Sequence, residues 1–157
     1  MSSVKNARLA PEIAGAFGAL PVMRQAAALC FRLRADGPQT LLISTRGTGR
    51  WIIPKGWPID GLSGSETAAR EAWEEAGVSG SCAADSIGHF SFVKRRKDVG
   101  QVMCRARVYP LRVTALSDDY PEAGQRRREW FSFEDAADRV SDRDLSALIR
   151  SFTIPSG

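Results

Sequence analysis

The chain has 157 residues, 43% of them hydrophobic, enough for one domain with a substantial core and too few for a second. Its 22 Lys and Arg exceed its 18 Asp and Glu, and the net charge of +4 favours anionic ligands: nucleic acid, a polyphosphorylated small molecule or an acidic protein. No stretch approaches the roughly 18 apolar residues that a membrane span needs. Cys30, Cys82 and Cys104, odd in number and without CxxC spacing, read as buried thiols of a reducing cytoplasm, not as disulfides or zinc ligands.

Residues 1–23 read as an N-terminal arm. Lys5 and Arg8 precede a short apolar run, but Pro11 and Glu12 interrupt its entry and Gly15 and Gly18 dilute it, so no exported leader is expected. Residues 24–157 read as a single domain. Within it, 24–34 (RQAAALCFRLR) and 40–46 (TLLISTR) are apolar runs around ADGPQ, which predicts strand, five-residue turn, strand. Gly47-Thr48-Gly49 turns the chain into a short strand at Trp51-Ile52-Ile53, which runs into Pro54-Lys55-Gly56.

Ser63 or Ser65 offers a cap for a helix over 66–76, which no Gly or Pro interrupts, and Gly77 is a ready terminator. Glu71, Glu74 and Glu75 stand at i, i+3 and i+4, so three carboxylates share one face while Ala68, Ala72 and Ala76 line another. Like charges one turn apart weaken a helix by about 0.2–0.5 kcal/mol per pair. A cluster of hard oxygens is, however, what Mg²⁺ or Mn²⁺ takes as ligands.

Residues 86–94 and 101–114 alternate as strands around the basic turn KRRKDVG, and Pro110 within the second predicts an edge strand or a bulge. A polar loop over 118–124 leads to a strand over 126–133 (RRREWFSF). Ser132 caps a helix over 133–140, and a last helix over 142–152 carries Leu145, Leu148, Ile149 and Phe152 as one apolar stripe. His89, the single histidine, has no triad partners and reads as structural. Trp51, Trp73 and Trp130 read as packing residues, whereas Trp57 either packs its loop or stacks on a nucleobase. This order of elements indicates an α+β fold with a mixed sheet between helices.

Gly56, Arg70, Glu71, Ala72, Glu74, Glu75, Gly77 and Val78 fall in register on a pattern that resembles the Nudix box; Leu62 stands where the box has its first Glu. The resemblance implies an α/β/α sandwich with a central mixed sheet, the box helix on one side and the C-terminal helices packed on the sheet. It also implies a Mg²⁺-dependent pyrophosphohydrolase, with Mn²⁺ as a substitute. Metal would be held by Glu71, Glu74, Glu75 and the Gly56 carbonyl. Glu74 or Glu75 would orient the attacking water, and Arg70 would fix a box carboxylate.

The segments RQAAALCFRLR, LLISTRGTGRWIIPKG, AAREAWEEAGV and RRREWFSFEDA are further similar to diphosphoinositol polyphosphate phosphohydrolases, which also cleave diadenosine polyphosphates. On that resemblance Arg24, Ser44, Arg46, Arg126, Arg127 and Arg128 contact phosphates. Apart from the resemblance, Lys55, Arg50 and the run Lys94 to Lys97 stand with these arginines near the ends of predicted strands, a set of cations suited to a heavily phosphorylated ligand. Lys55-Gly56-Trp57 replaces the three consecutive glycines of that branch, so the pocket floor differs. Other readings are an RNA 5′-end or nucleoside-polyphosphate pyrophosphohydrolase, and a polyphosphate sensor without activity. The sequence leaves the oligomeric state open.

Overall fold

The fold was determined as a computed structural model in which residues 21–155 are described. The sheet is assembled on β1 (Val22–Arg34), in which every residue from Gln25 to Phe31 is buried, so this strand must be covered on both faces. It runs parallel to β7 (Gly100–Leu116), from Val22 beside Met103 to Phe31 beside Arg112. On its other edge it pairs antiparallel with β2 (Gly37–Ser44) through a hairpin in which Arg34 faces Gly37. That connection is two residues long, not the expected five, because Gly37 takes φ 128° and strand pairing continues through Pro38 and Gln39.

β1 and β2 stay paired only from Phe31 to Arg34 and then diverge. β4 (Lys55–Gly56) takes the freed edge of β1 at Ala26 and Ala27, and β3 (Trp51–Ile52) pairs with the end of β2. β8 (Arg128–Ser132) pairs with the far edge of β2, while β5 (Val78–Cys82) and β6 (Gly88–Arg96) share the outer edge of β7. The result is a mixed sheet of eight strands. β5, with its sequence VSGSC and mostly exposed side chains, carries no alternation that would mark it as a strand in isolation.

Pro110 lies in the interior of the sheet and not at an edge. It falls between Val108, the last residue of β7 paired with β6, and Leu111, the first paired with β5. Its missing N–H therefore faces the gap between those two strands, and its carbonyl accepts from Ala83 N at 2.8 Å. The bulge occurs farther on, opposite Ser79 and Gly80.

Three helices among the described residues cover the sheet, and strand alternation decides which one meets which residue. Ala26, Ala28, Cys30, Leu41, Ile43 and Tyr109 pack against Ala68, Ala72 and Ala76 of α1 (Gly64–Ala76). Ala27, Leu29, Leu42, Ala106 and Val108 pack on the opposite face with Ala136 and Ala137 of α2 (Phe133–Arg139) and Leu145 and Ile149 of α3 (Arg143–Ser151). Full burial of Leu145 and Ile149 contributes about 1.5–3 kcal/mol each.

Ser63, not Ser65, caps α1: its Oγ accepts from Glu66 N at 3.2 Å while Glu66 Oε1 accepts from Ser63 N at 2.8 Å. Gly77 ends the helix at φ 69°. β1 starts at Val22, and Met23 is buried with Val102 and Cys104, so the strand claims the last residues of the expected arm; residues 1–20 lie outside those described. Cys30, Cys82 and Cys104 are free thiols, and burial pushes the Cys82 thiol up to about 11.

Candidate active site

The unbroken helical run from Glu66 to Ala76 sets Glu71 and Glu75 one turn apart, and both are buried, at 3% and 9% exposure. Pairing of β4 with β1 brings Gly56 directly against Glu71: a Cβ built on Gly56 would lie 2.5 and 2.6 Å from the two carboxylate oxygens. Any larger residue there would displace the Glu71 carboxylate. Glu75 Oε1 accepts from Lys55 N at 3.1 Å, and its Oε2 lies 3.7 Å from Arg126 Nη2.

Burial raises the Glu75 carboxyl to about 8, with Glu71 pushing the same way, against the opposing pull of Arg126 and of Lys55. Two buried acids beside the backbone of Gly56 form a donor set. Its chemistry, hard oxygen throughout, fits Mg²⁺ or Mn²⁺. Glu74 is half-buried on the next flank of the helix, and its carbonyl accepts from Glu122 N at 3.0 Å. Among the described residues, no three acidic, His or Cys side chains converge as a metal cluster; of the three box acids, Glu71 and Glu75 are the buried ones.

Arg126 ties this pair to its surroundings. Its Nη1 donates to Ser44 O at 3.2 Å and its Nε to Glu122 Oε1 at 3.4 Å. Ser44 is buried, and its Oγ accepts from Arg127 N at 2.9 Å, so this serine anchors the segment that carries the arginines. Lys55 and Arg126, the two groups that hold Glu75, also line a cleft of about 690 Å³ together with Arg46, Arg50, Lys94, Trp51 and Phe92. Lys55 Nζ sits 4.5 Å above the Phe92 ring, and burial together with Lys94 lowers the pKa of its ammonium. Arg46 Nη1 donates to Gln125 Oε1 at 2.8 Å, which braces it at the cleft wall.

The other expected residues are placed elsewhere. Arg128 Nη1 donates to Ala76 O and Ser117 O, each at 2.7 Å, and its Nη2 pairs with Asp118 at 2.6 Å; it closes the C-terminus of α1. Arg127 stacks on Trp51 at 4.7 Å. Arg70 is exposed and shares a shallow groove with Glu66, Ala69 and Trp73, a helix face separate from that of Glu71 and Glu75; Leu62 borders the same groove. Arg24 points away from the cleft, on the α1 side of β1. Trp57 packs on Met23, Val102 and Cys104, with Lys94 and Arg96 each 5.2 Å from its ring. Glu122 was not singled out by the sequence, and its position four residues before Arg126 was the one available signal.

A family model for the NUDIX domain matches residues 23–150. The chain is similar to diphosphoinositol polyphosphate phosphohydrolase 3-beta of Homo sapiens, 37% identical over 115 residues that make up 72% of this chain and 66% of that protein. It is also similar to diphosphoinositol polyphosphate phosphohydrolase 2 of Rattus norvegicus, 36% identical over 72% of this chain and 60% of that protein. The match therefore spans just under two thirds of these relatives' length. Among solved structures, an Ap4A hydrolase of C. elegans superposes with a TM-score of 0.57 at 22% identity, covering 82% of this chain and 94% of that one. A MutT protein from Methanosarcina mazei Go1 superposes with a TM-score of 0.60 at 22% identity, covering 83% and 92%. These two show likeness of fold. With a family model spanning most of the sequence and the box carboxylate of Glu71 buried against the box glycine, the chain belongs to the NUDIX domain family.

Proposed function

We propose that the chain is a divalent-cation-dependent hydrolase of phosphoric anhydrides, acting on a diphosphate linked to another group: a diphosphoinositol polyphosphate first, a diadenosine polyphosphate second. The observation that carries this reading is the buried Glu71–Glu75 pair, held by Lys55 and Arg126 at the edge of a cleft lined by five cationic side chains. The curated relatives named above act, by their names, on diphosphoinositol polyphosphates, which supports the substrate class.

Mg²⁺, or Mn²⁺ in its place, would be held by Glu71, Glu75 and the Gly56 carbonyl with Glu74 beside them, and when bound supplies charge neutralisation and a more acidic attacking water. The rest falls to the chain's own residues. Phosphoric anhydrides resist attack because their oxygens repel nucleophiles, so positioning and positive charge lower the barrier most. Arg46, Arg50 and Arg126 engage phosphoryl oxygens through planar forks, and Lys55 and Lys94 act as point charges. Arg126 also fixes Glu75, which couples substrate contact to the orientation of the carboxylate. Glu75 or the less buried Glu74 takes the proton from water. Trp57 is engaged by Met23, Val102 and Cys104 and flanked by cations, an arrangement that favours a phosphate-rich ligand over a stacked base.

The test is phosphate release with Mg²⁺ across diphosphoinositols, diadenosine polyphosphates, nucleoside triphosphates and 5′-triphosphorylated RNA. The expected order of kcat/KM is as written. Faster turnover of RNA or of nucleoside triphosphates would overturn the substrate assignment, and binding without hydrolysis of any substrate would establish a sensor instead.

A further inference from the structure

A second cavity, about 500 Å³, opens on the face of the sheet opposite the cleft. The strand register creates it. His89 pairs with Arg107 across β6 and β7, and Arg24 with Arg105 across β1 and β7, so these four side chains share one face; Phe90, Phe92 and Lys94 alternate onto the cleft side. Arg24, His89, Arg105 and Arg107 are exposed and line the cavity, and no acidic side chain lines it among the described residues. Directly opposed like charges weaken a sheet.

Two further features shape the cavity. The first turn of α1 borders it through Gly64 and Thr67, which brings the positive end of a 13-residue helix to its rim. Tyr109, on the same face as the arginines, lies with its hydroxyl against Gly64, so that a side chain at Gly64 would collide with it. The volume is that of a small-molecule site.

We propose that this cavity binds a small phosphorylated polyanion at a site separate from the catalytic cleft, held chiefly by Arg105 and Arg107 with His89 and Tyr109 beside them. Guanidinium forks two residues apart on one strand face suit adjacent phosphoryl groups. The chain's single histidine makes the test direct. Tripolyphosphate is titrated into the metal-free full chain while the His89 ring resonances are followed by NMR. The expected result is a saturable shift that survives in Arg46→Gln/Arg126→Gln, weakens about tenfold or more in Arg105→Gln/Arg107→Gln, and is restored in part in Arg105→Lys/Arg107→Lys, which keeps the charge without the fork. Phosphate release by the Arg105→Gln/Arg107→Gln variant at low substrate stays at the wild-type rate. A silent His89 at saturating ligand, loss of the shift in the cleft variant instead, or a response to single-stranded oligonucleotide with none to tripolyphosphate would overturn the proposal. Should the glutamine pair fail to fold, the wild-type and cleft-variant titrations decide alone, and neither requires the protein to be a hydrolase.

Discussion

Gly56→Ala isolates the contact on which the proposed chemistry depends. Gly56 has no positive φ, and β4 is fixed to β1 by pairing at Ala26, so an alanine is not strained by its backbone and cannot easily retreat. Its methyl group would stand 2.5 Å from one Glu71 oxygen, where ordinary contact begins near 3.4 Å, so the carboxylate must withdraw by about 1 Å. Misplacement on that scale reduces turnover by about 10²-fold. Overpacking at a buried site destabilises by about 1–3 kcal/mol, and rotation of a single side chain places this case near the lower bound. The assays are kcat/KM for phosphate release with Mg²⁺, Mn²⁺ affinity by electron paramagnetic resonance, and urea denaturation. The expected outcome is loss of both turnover and metal affinity with most of the stability retained. Activity within threefold of wild type and unchanged Mn²⁺ affinity would refute the placement of metal between Gly56 and Glu71.

Glu75→Gln is expected to lower kcat by about 10²–10⁴-fold in the same assay while the protein remains folded. Because the folded-state pKa of Glu75 is raised to about 8, the folded protein holds a proton that the unfolded chain releases near 4.5. The stability contributed by that proton is complete below about pH 4.5 and is lost as pH rises towards 8. Denaturation of the metal-free wild type at pH 5 and pH 8 should therefore show a decline that Glu75→Gln reduces, and equal slopes in both proteins would contradict it. Arg126→Ala removes the cation that opposes this rise, so Mn²⁺ binding measured against pH should shift to higher pH, with kcat/KM lower by about tenfold or more. Arg128→Ala, which unties Ala76 O and Ser117 O, should destabilise by about 1–3 kcal/mol in urea and leave KM within threefold; a large rise in KM with unchanged stability would instead return Arg128 to the substrate.

Much of the box helix was legible in the sequence because its determinants are local. Capping, the 3.6-residue period and the terminal glycine depend on residues within a turn of one another, so the acid face, the alanine face and the end at Gly77 follow from the letters Ser63 to Gly77. The apolar stripe of α3 was legible for the same reason. The strand β5 was not, because VSGSC owes its extended form to pairing with β7, a partner some thirty residues away in the chain.

What the sequence by itself determined is the presence of three carboxylates within about one helical turn, a glycine at the start of the box, and a surplus of cations near strand ends. Which cations meet those carboxylates was decided only by the tertiary structure. Arg126 and Arg128 are two residues apart and chemically identical and both face α1, yet one reaches Glu75 while the other meets the carbonyls of Ala76 and Ser117, because each contacts the groups that lie nearest its own place along the chain. Arg24 and Lys55 carry the same charge, yet they serve opposite faces of one sheet. The physical reason is that a side chain's direction along a strand has period two, so its face depends on a register set by distant partners, whereas helix faces and caps are set by near neighbours.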